Sequence, residues 1–132
     1  MKNFIDWEKL TDLSQGNVDI EISLLEKTTK LFEEGGELAQ AVLHYNGSKN
    51  VSASAGDTKE DVLEEACDVL NVTLDIIISL GFTPEEAEAM FSKKLDKWAS
   101  KVNDAKDNEI LALTRYNEPE RPESWMAKLK FW

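Results

Sequence analysis

The segment that decides the fold is EDVLEEACDVLNVTLDIIISL, which spans residues 60–80. Apolar residues cover more than half of its circumference when it is drawn as a helix, a pattern typical of a helix in the middle of a bundle or at an oligomer interface. Asp61, Asp68 and Asp75 nevertheless recur every seven residues and form a narrow acidic stripe together with Glu65. Because buried carboxylates without partners are energetically costly, this stripe predicts cations, lysines or a wet cleft beside the helix.

Further helices on either side of this segment predict an all-α fold. A long helix is expected over residues 19–44, where apolar residues keep to one stripe at helical period. The central helix is expected to begin at Thr58 or Lys59 and to end at Leu80. The sequence carries no strand alternation, no internal repeat and no Gly-rich phosphate loop.

A third helix is predicted after residues 83–86, which read TPEE. Thr83 is a suitable N-cap, Pro84 occupies the first helical position, and Glu86 completes a capping box. At the other end of the chain, residues 4–13 are expected to form a short amphipathic helix or a docking arm. The polar sequence SQGN that follows it is expected to break that helix.

The length predicts one domain over residues 1–132, with its core at about residues 19–102. Residues 45–58 are expected to form a loop, because they are rich in Gly, Ser, Asn and Ala. Residues 103–132 are expected to form a polar loop followed by a short C-terminal helix or tail. The apolar side chains of that tail are expected to be exposed unless they dock; they are Trp125, Met126, Leu129, Phe131 and Trp132.

The charge and the cysteine content narrow the function classes. With 15 Lys and Arg against 26 Asp and Glu, the net charge is −11, which disfavours nucleic acid and anionic membranes as partners. Any nucleotide site must therefore supply its own cations. The single cysteine, Cys67, excludes an intrachain disulfide and is expected to be buried and inert. With no secretion signal and no membrane-spanning run in the sequence, a cytoplasmic protein is expected.

Two carboxylate pairs are the candidate chemistry. Glu34 with Glu37, and Glu65 with Asp68, are spaced i, i+3, which places each pair on one face of a helix. If the two helices face each other, four carboxylates meet, and they repel unless cations lie among them. Oxygen ligands suit hard cations such as Mg²⁺ or Mn²⁺. The glycine pair at residues 35–36 weakens the first helix, and predicts close packing, space for a ligand or a local weak spot.

Three stretches resemble the MazG-like nucleoside triphosphate pyrophosphohydrolases and their dimeric dUTPase relatives: LFEEGGELA at 31–39, EDVLEEACDVL at 60–70 and ISLGFTP at 78–84. The resemblance covers about residues 25–102. That family carries Glu-x-x-Glu on one helix and Glu-x-x-Asp on the next, matched here by Glu34, Glu37, Glu65 and Asp68, which the resemblance makes the metal ligands.

The resemblance also implies the architecture and the reaction. It implies an antiparallel helical bundle completed by oligomerisation as a homodimer or homotetramer. It implies Mg²⁺-dependent hydrolysis of a (deoxy)nucleoside triphosphate between the α and β phosphates, with Mn²⁺ as an alternative ion. The products would be a nucleoside monophosphate and pyrophosphate.

Further candidate residues flank these pairs. Glu33 and Glu34 are candidate catalytic residues, with Glu64 as an alternative to Glu33 for an outer ligand or base. Lys94 and Lys97 are candidates for the phosphate clamp of the helix after Pro84, where the family tends to carry Arg as well as Lys. This sequence has no arginine there, and the alternative is a solvated face that complements the helix dipole.

Alternative functions remain open from the sequence. Phosphoribosyl-ATP pyrophosphatase shares the fold type and the reaction, and a helical oligomerisation module would need no chemistry at all. A di-iron carboxylate bundle is disfavoured because no Glu-x-x-His pair is present. His44, the only histidine, is expected to be structural or exposed, and Asp75 is expected to pair with a lysine of the helix after Pro84.

Overall fold

Four α-helices make up 85% of the residues that the structure, a computed structural model, describes. The described residues are 3–47 and 58–115. The helices are α1 (Trp7–Asp19), α2 (Leu24–Tyr45), α3 (Lys59–Ser79) and α4 (Pro84–Arg115). Since neither described range contains a strand, the predicted all-α class is confirmed. None of the described helices is both long and apolar enough to cross a bilayer.

The contacts divide the chain into two units, Met1–Pro84 and Glu85–Trp132. In the first unit α3 is the central element, because both α1 and α2 pack against it. This position agrees with the wide apolar circumference that the sequence gives to residues 60–80. The second unit contains α4. The prediction of one domain over the whole chain stays a prediction.

Helix α1 does not break where its sequence predicts. The helix continues through residues 14–17 to Asp19, although Gly16 costs about 1 kcal/mol relative to alanine in a helix. Tertiary contacts offset this cost: Ser14 is buried with its Oγ 3.5 Å from that of Ser79, and Asn17 donates from Nδ2 to Asp75 at 3.0 Å. The residues that read as helix breakers are therefore those that attach α1 to α3.

Helix α2 begins five residues later than predicted, at a capping box. Ser23 accepts a hydrogen bond from the backbone N–H of Glu26, and the Glu26 carboxylate accepts in return from the Ser23 backbone N–H at 2.7 Å. Those hydrogen bonds from Ser23 hold the pKa of Glu26 below its usual value. The Ser-x-x-Glu spacing at residues 23–26 is a local sequence signal for this helix start. The apolar stripe, which extends back to residue 20, predicts an earlier start.

Helix α3 begins at Lys59 as predicted and ends at Ser79, one residue before the predicted Leu80, which is its C-cap. Asp61 has a role different from the expected one. Thr58 is the N-cap, and its backbone N–H donates to the Asp61 carboxylate at 2.6 Å, which completes a second capping box. Gly81 follows the helix with φ +83°, the left-handed conformation that glycine adopts without strain. The acidic stripe thus loses Asp61 to helix capping.

Helix α4 is longer than predicted, since it continues through residues 103–115, which were expected to be a loop. Between Pro84 and Arg115 the sequence contains no glycine and no further proline, so polar composition alone does not stop the helix. The predicted start at Pro84 is confirmed. The aromatic tail lies outside the described residues.

The apolar core of the described chain is small. Only Ala41 and Leu74 are buried apolar residues there. Large apolar side chains are instead exposed, and Leu25 and Phe32, seven residues apart on one face of α2, retain 76% and 79% of their accessible surface. This exposed apolar stripe is a surface that an apolar partner could cover.

A buried ion pair joins α2 to α3. Lys27 is 4% exposed, and its Nζ lies 2.9 Å from the Asp75 carboxylate while also donating to the Ser79 hydroxyl. The sequence-based prediction that Asp75 pairs with a lysine of α4 is therefore wrong, because its lysine partner is Lys27 of α2, which is buried where α2 packs against α3. Asn17 of α1 donates to the other Asp75 oxygen, so one carboxylate of α3 joins that helix to both α1 and α2.

Because of Asp75, the free energy of unfolding is expected to decrease as the pH falls in the acid range. Desolvation acts to raise the pKa of this carboxyl, but Ser14, Lys27 and Asn17 outweigh it, and the pKa lies below its ordinary value of 3.8. The stabilisation is therefore complete above that ordinary value and is lost as the pH falls through the lower native pKa.

Asp75→Asn is accordingly expected to destabilise the protein by about 3 kcal/mol at neutral pH, because it leaves the buried Lys27 ammonium without its counter-charge. The measurement is urea unfolding at about pH 7 and about pH 3, with the difference from wild type shrinking at the lower pH. Asp12→Asn, at an exposed site of α1, is the matched control. An equal loss in both variants would contradict the assignment.

Candidate metal centre

Three of the four predicted carboxylates meet where α2 packs against α3. One carboxylate oxygen each of Glu34, Glu37 and Glu65 lies within 4.8 Å of the other two. The i, i+3 spacing brings Glu34 and Glu37 to one face of α2, and helix packing brings Glu65 of α3 to them. Asp68, one turn further along α3, is not part of this group. We call Glu34, Glu37 and Glu65 the carboxylate cluster.

Glu65 is the member of the carboxylate cluster whose charge is least satisfied. Its Oε2 atom is buried and has no hydrogen-bond partner. Desolvation raises the pKa of Glu65, and the negative charges of Glu37, Asp68, Glu34 and Glu64 raise it further. A cation at this point would offset both effects, because it would neutralise the charge and coordinate the unpaired oxygen.

Glu34 is buried but already has a cationic neighbour. The Nζ atom of Lys30 lies 2.7 Å from the Glu34 carboxylate and 3.1 Å from that of Glu33. Hydrogen bonds to Glu34 and Glu33 raise the pKa of Lys30, so the ammonium stays charged. Glu33 is exposed and lies outside the carboxylate cluster, as an outer ligand or base would.

The donor set of the carboxylate cluster fits a hard divalent cation. All three groups offer oxygen, the ligand that Mg²⁺, Mn²⁺ and Ca²⁺ prefer. An ion bound octahedrally at about 2.1 Å places neighbouring ligands about 3.0 Å apart and opposite ligands about 4.2 Å apart. The oxygens here lie within 4.8 Å of one another, so rotation of the side chains must draw them closer together before they can share an ion.

The glycine pair of α2 faces open space. Gly35 and Gly36 lie within the unbroken helix α2, and a Cβ atom built at either would meet no atom within 4 Å. Close helix packing at these glycines is therefore not observed in the described part of the chain. The space instead adjoins the backbone between Glu34 and Glu37.

The remaining candidate residues lie elsewhere. Lys94 and Lys97 are exposed residues of α4, in the second unit, and their role as a phosphate clamp stays a prediction. His44 is half-buried near the end of α2 and does not belong to the carboxylate cluster. Cys67 is exposed, which corrects the expectation that it is buried.

Cys67 lines a groove of about 580 Å³ in the first unit. The groove is formed by α1 and the residues just before it on one side, and by α3 on the other, with Leu10 and Leu70 among its apolar walls and Asn17 and Asp75 among its polar groups. No member of the carboxylate cluster lines it. The groove is therefore separate from the carboxylate cluster. It exists because α1 packs incompletely on α3, which leaves Cys67 exposed.

The sequence alone places Lys27 and Lys30 near the flank of α2 that carries Glu34 and Glu37, but no ion-pair partner is predicted for either. Lys30 precedes Glu33 by three residues and Glu34 by four, which is the spacing of ion pairs within a helix. That signal was readable. Lys27 lies two turns before Glu34, on nearly the same face, but its partner is set by helix packing and has no local signature.

Comparison with family models, with curated proteins and with solved structures gives no match for this chain. The resemblance to the MazG-like enzymes therefore rests on the residues and spacings given above. The functional argument is carried by the geometry of the carboxylate cluster and by the unpaired oxygen of Glu65.

Glu65→Gln is expected to stabilise the protein at neutral pH when no divalent ion is present. The pKa of Glu65 in the folded protein lies above its ordinary value of 4.5. Folding is therefore penalised as the pH rises from that value through the native pKa, and the penalty is complete above it. Glutamine carries no charge and escapes the penalty.

The measurement is thermal unfolding in a chelator from about pH 4 to about pH 8, over which the midpoint of wild type should fall relative to that of the variant. Glu60→Gln, at an exposed position of α3, is the matched control. A gap between wild type and Glu65→Gln that does not change with pH would contradict the pKa assignment.

Proposed function

We propose that this protein is a Mg²⁺-dependent nucleoside triphosphate pyrophosphohydrolase. The observation that carries the proposal is the approach of Glu34, Glu37 and Glu65 to within 4.8 Å across two helices. The buried, unpaired oxygen of Glu65 supports it, since an oxygen of that kind needs a proton or a cation. The resemblance of the surrounding stretches to MazG-like sequence supplies the reaction.

The proposed arrangement is an antiparallel, MazG-like pairing of α2 and α3. Two contacts support it: Lys27 meets Asp75, and Glu37, ten residues beyond Lys27, meets Glu65, ten residues before Asp75. Advancing along one helix thus corresponds to moving back along the other. In this arrangement Asp68 lies one turn from Glu65 and is the proposed fourth ligand.

In the proposed reaction, the four carboxylates would hold Mg²⁺, with Mn²⁺ as an alternative. When bound, such an ion would supply charge neutralisation at the phosphate oxygens and activation of water for attack at the α phosphorus. The chain's own residues have separate tasks. Glu33, exposed beside the carboxylate cluster, is the proposed base that accepts a proton from the attacking water. Lys94 and Lys97, exposed residues of the second unit, keep the role that the resemblance implies, as candidate phosphate-binding residues.

Glu37→Gln and Asp68→Asn are each expected to lower Mg²⁺-dependent turnover on the order of a hundredfold or more, the effect of removing one preorganised electrostatic group. The measurement is pyrophosphate release from a panel of ribo- and deoxynucleoside triphosphates, with helix content followed by circular dichroism. Glu60→Gln is the matched control and should retain wild-type turnover. Wild-type rates in both site variants would rule out this site.

The same panel, with phosphoribosyl-ATP added to it, separates the alternatives. Phosphoribosyl-ATP pyrophosphatase activity would appear as turnover of phosphoribosyl-ATP in preference to every triphosphate. Orthophosphate as the first product would show that a different bond is cut. The exposed apolar stripe favours a second candidate, a helical oligomerisation module, for which no substrate would be turned over while the protein still assembled.

Homo-oligomerisation, as a dimer or tetramer, is part of the proposal. The described chain buries only two apolar residues and leaves Leu25 and Phe32 of α2 largely exposed, so a second copy would supply the missing apolar contacts. Light scattering after size exclusion is expected to give at least twice the mass of one chain.

Phe32→Asp is expected to shift this mass toward that of the monomer, because a charge on an apolar interface is costly. Ile20→Asp places the same charge at another exposed apolar position, between α1 and α2, and is the matched control. A monomeric wild type, or equal dissociation by both variants, would contradict an interface at this stripe.

A further inference from the structure

The contact between Lys30 and Glu34 has a consequence beyond holding one helix face together. Lys30 is half-exposed, with 49% of its side chain accessible, whereas the Glu34 side chain is only 8% accessible. The ammonium at 2.7 Å is therefore the charge that compensates a largely buried carboxylate. That same carboxylate belongs to the cluster where the proposed divalent ion would bind.

A divalent ion and the Lys30 ammonium compete for Glu34. Both are cations, and at contact distance from one carboxylate group they repel each other strongly where the surroundings are only partly hydrated. The smaller ion of higher charge wins this competition when it also collects oxygens from Glu37 and Glu65, because the ammonium carries a single charge and of the carboxylate cluster contacts only Glu34.

Lys30 has another partner within reach. Its Nζ atom already lies 3.1 Å from the carboxylate of Glu33, which is outside the cluster and exposed. A lysine side chain is flexible and its ammonium rotates freely. A small movement would therefore replace the present contact of Lys30 with both Glu33 and Glu34 by a contact with Glu33 alone. The exchange therefore leaves no charge buried without a partner.

We propose that Lys30 is an exchangeable internal counter-ion of the carboxylate cluster. Its ammonium neutralises Glu34 in the ion-free protein, and an incoming divalent cation displaces it onto Glu33. Lys30 is thus a positioning residue that keeps the ligands together before the ion arrives and sets the affinity for that ion. This inference rests on the divalent ion of the proposed function.

The test is calorimetric titration with Mg²⁺ alone, and separately with Mn²⁺ alone, of wild type and three variants. Lys30→Met removes the competing ammonium and is expected to bind either ion about two- to fivefold more tightly, the factor corresponding to one partly exposed ion pair. Lys30→Arg keeps the charge and a forked donor that suits a carboxylate, and should bind no more tightly than wild type. Lys59→Met removes the same charge from an exposed position at the start of α3 and should change affinity less than Lys30→Met.

A second readout needs no bound ion. In a chelator, Lys30→Met is expected to melt at a lower temperature than wild type, because Glu34 has lost its counter-charge, and saturating Mg²⁺ should narrow that gap. Equal or weaker ion binding by Lys30→Met, or an equal gain in Lys59→Met, would overturn the exchange while leaving the proposed function standing. If wild type itself bound neither ion, the proposed function would fall and the exchange with it.

Discussion

The buried ion pair between Lys27 and Asp75 is the constraint on which the rest of the first unit depends. Lys27 is 4% and Asp75 14% accessible, and a charged pair with so little exposure to water is stable only when its geometry and its hydrogen bonds are complete. Here Ser79 and Asn17 complete those hydrogen bonds. Because each partner has one good position, the pair limits how α2 and α3 can slide past each other. That alignment brings Glu37 and Glu65, each ten residues from its end of the pair, to the same level.

Charge is handled differently at the two ends of this helix pair. At one end, Lys27 pairs with the Asp75 carboxylate, and the pKa of Asp75 lies below its ordinary value. At Glu65, desolvation and neighbouring acids raise the pKa, and one oxygen has no partner. The Asp75 end is therefore a neutralised ion pair. The Glu65 end holds excess negative charge in a partly desolvated environment. Functional sites commonly show this second condition.

The small core and the acidic composition are linked to this organisation. Side chains that would fill a core in an independent domain are exposed along α2, as Leu25 and Phe32 are. The interior of the described chain is filled in part by buried polar residues instead: Ser14, Lys27 and Glu34. Since ion pairs contribute less net stability than apolar burial of similar size, further apolar contact from another copy would supply what this unit lacks.

The sequence by itself determined the helices and the pairing of acids on their faces. Capping boxes at Ser23 and Thr58 and the i, i+3 spacing of Glu34 and Glu37 act between neighbours in the chain, so they are readable without a structure. Only the tertiary structure decided that Asp75 pairs with Lys27, that α1 runs on through Gly16, and that Glu65 joins the cluster while Asp68 does not. Those outcomes depend on how far helices distant in the chain slide and rotate against each other, and no local pattern encodes that.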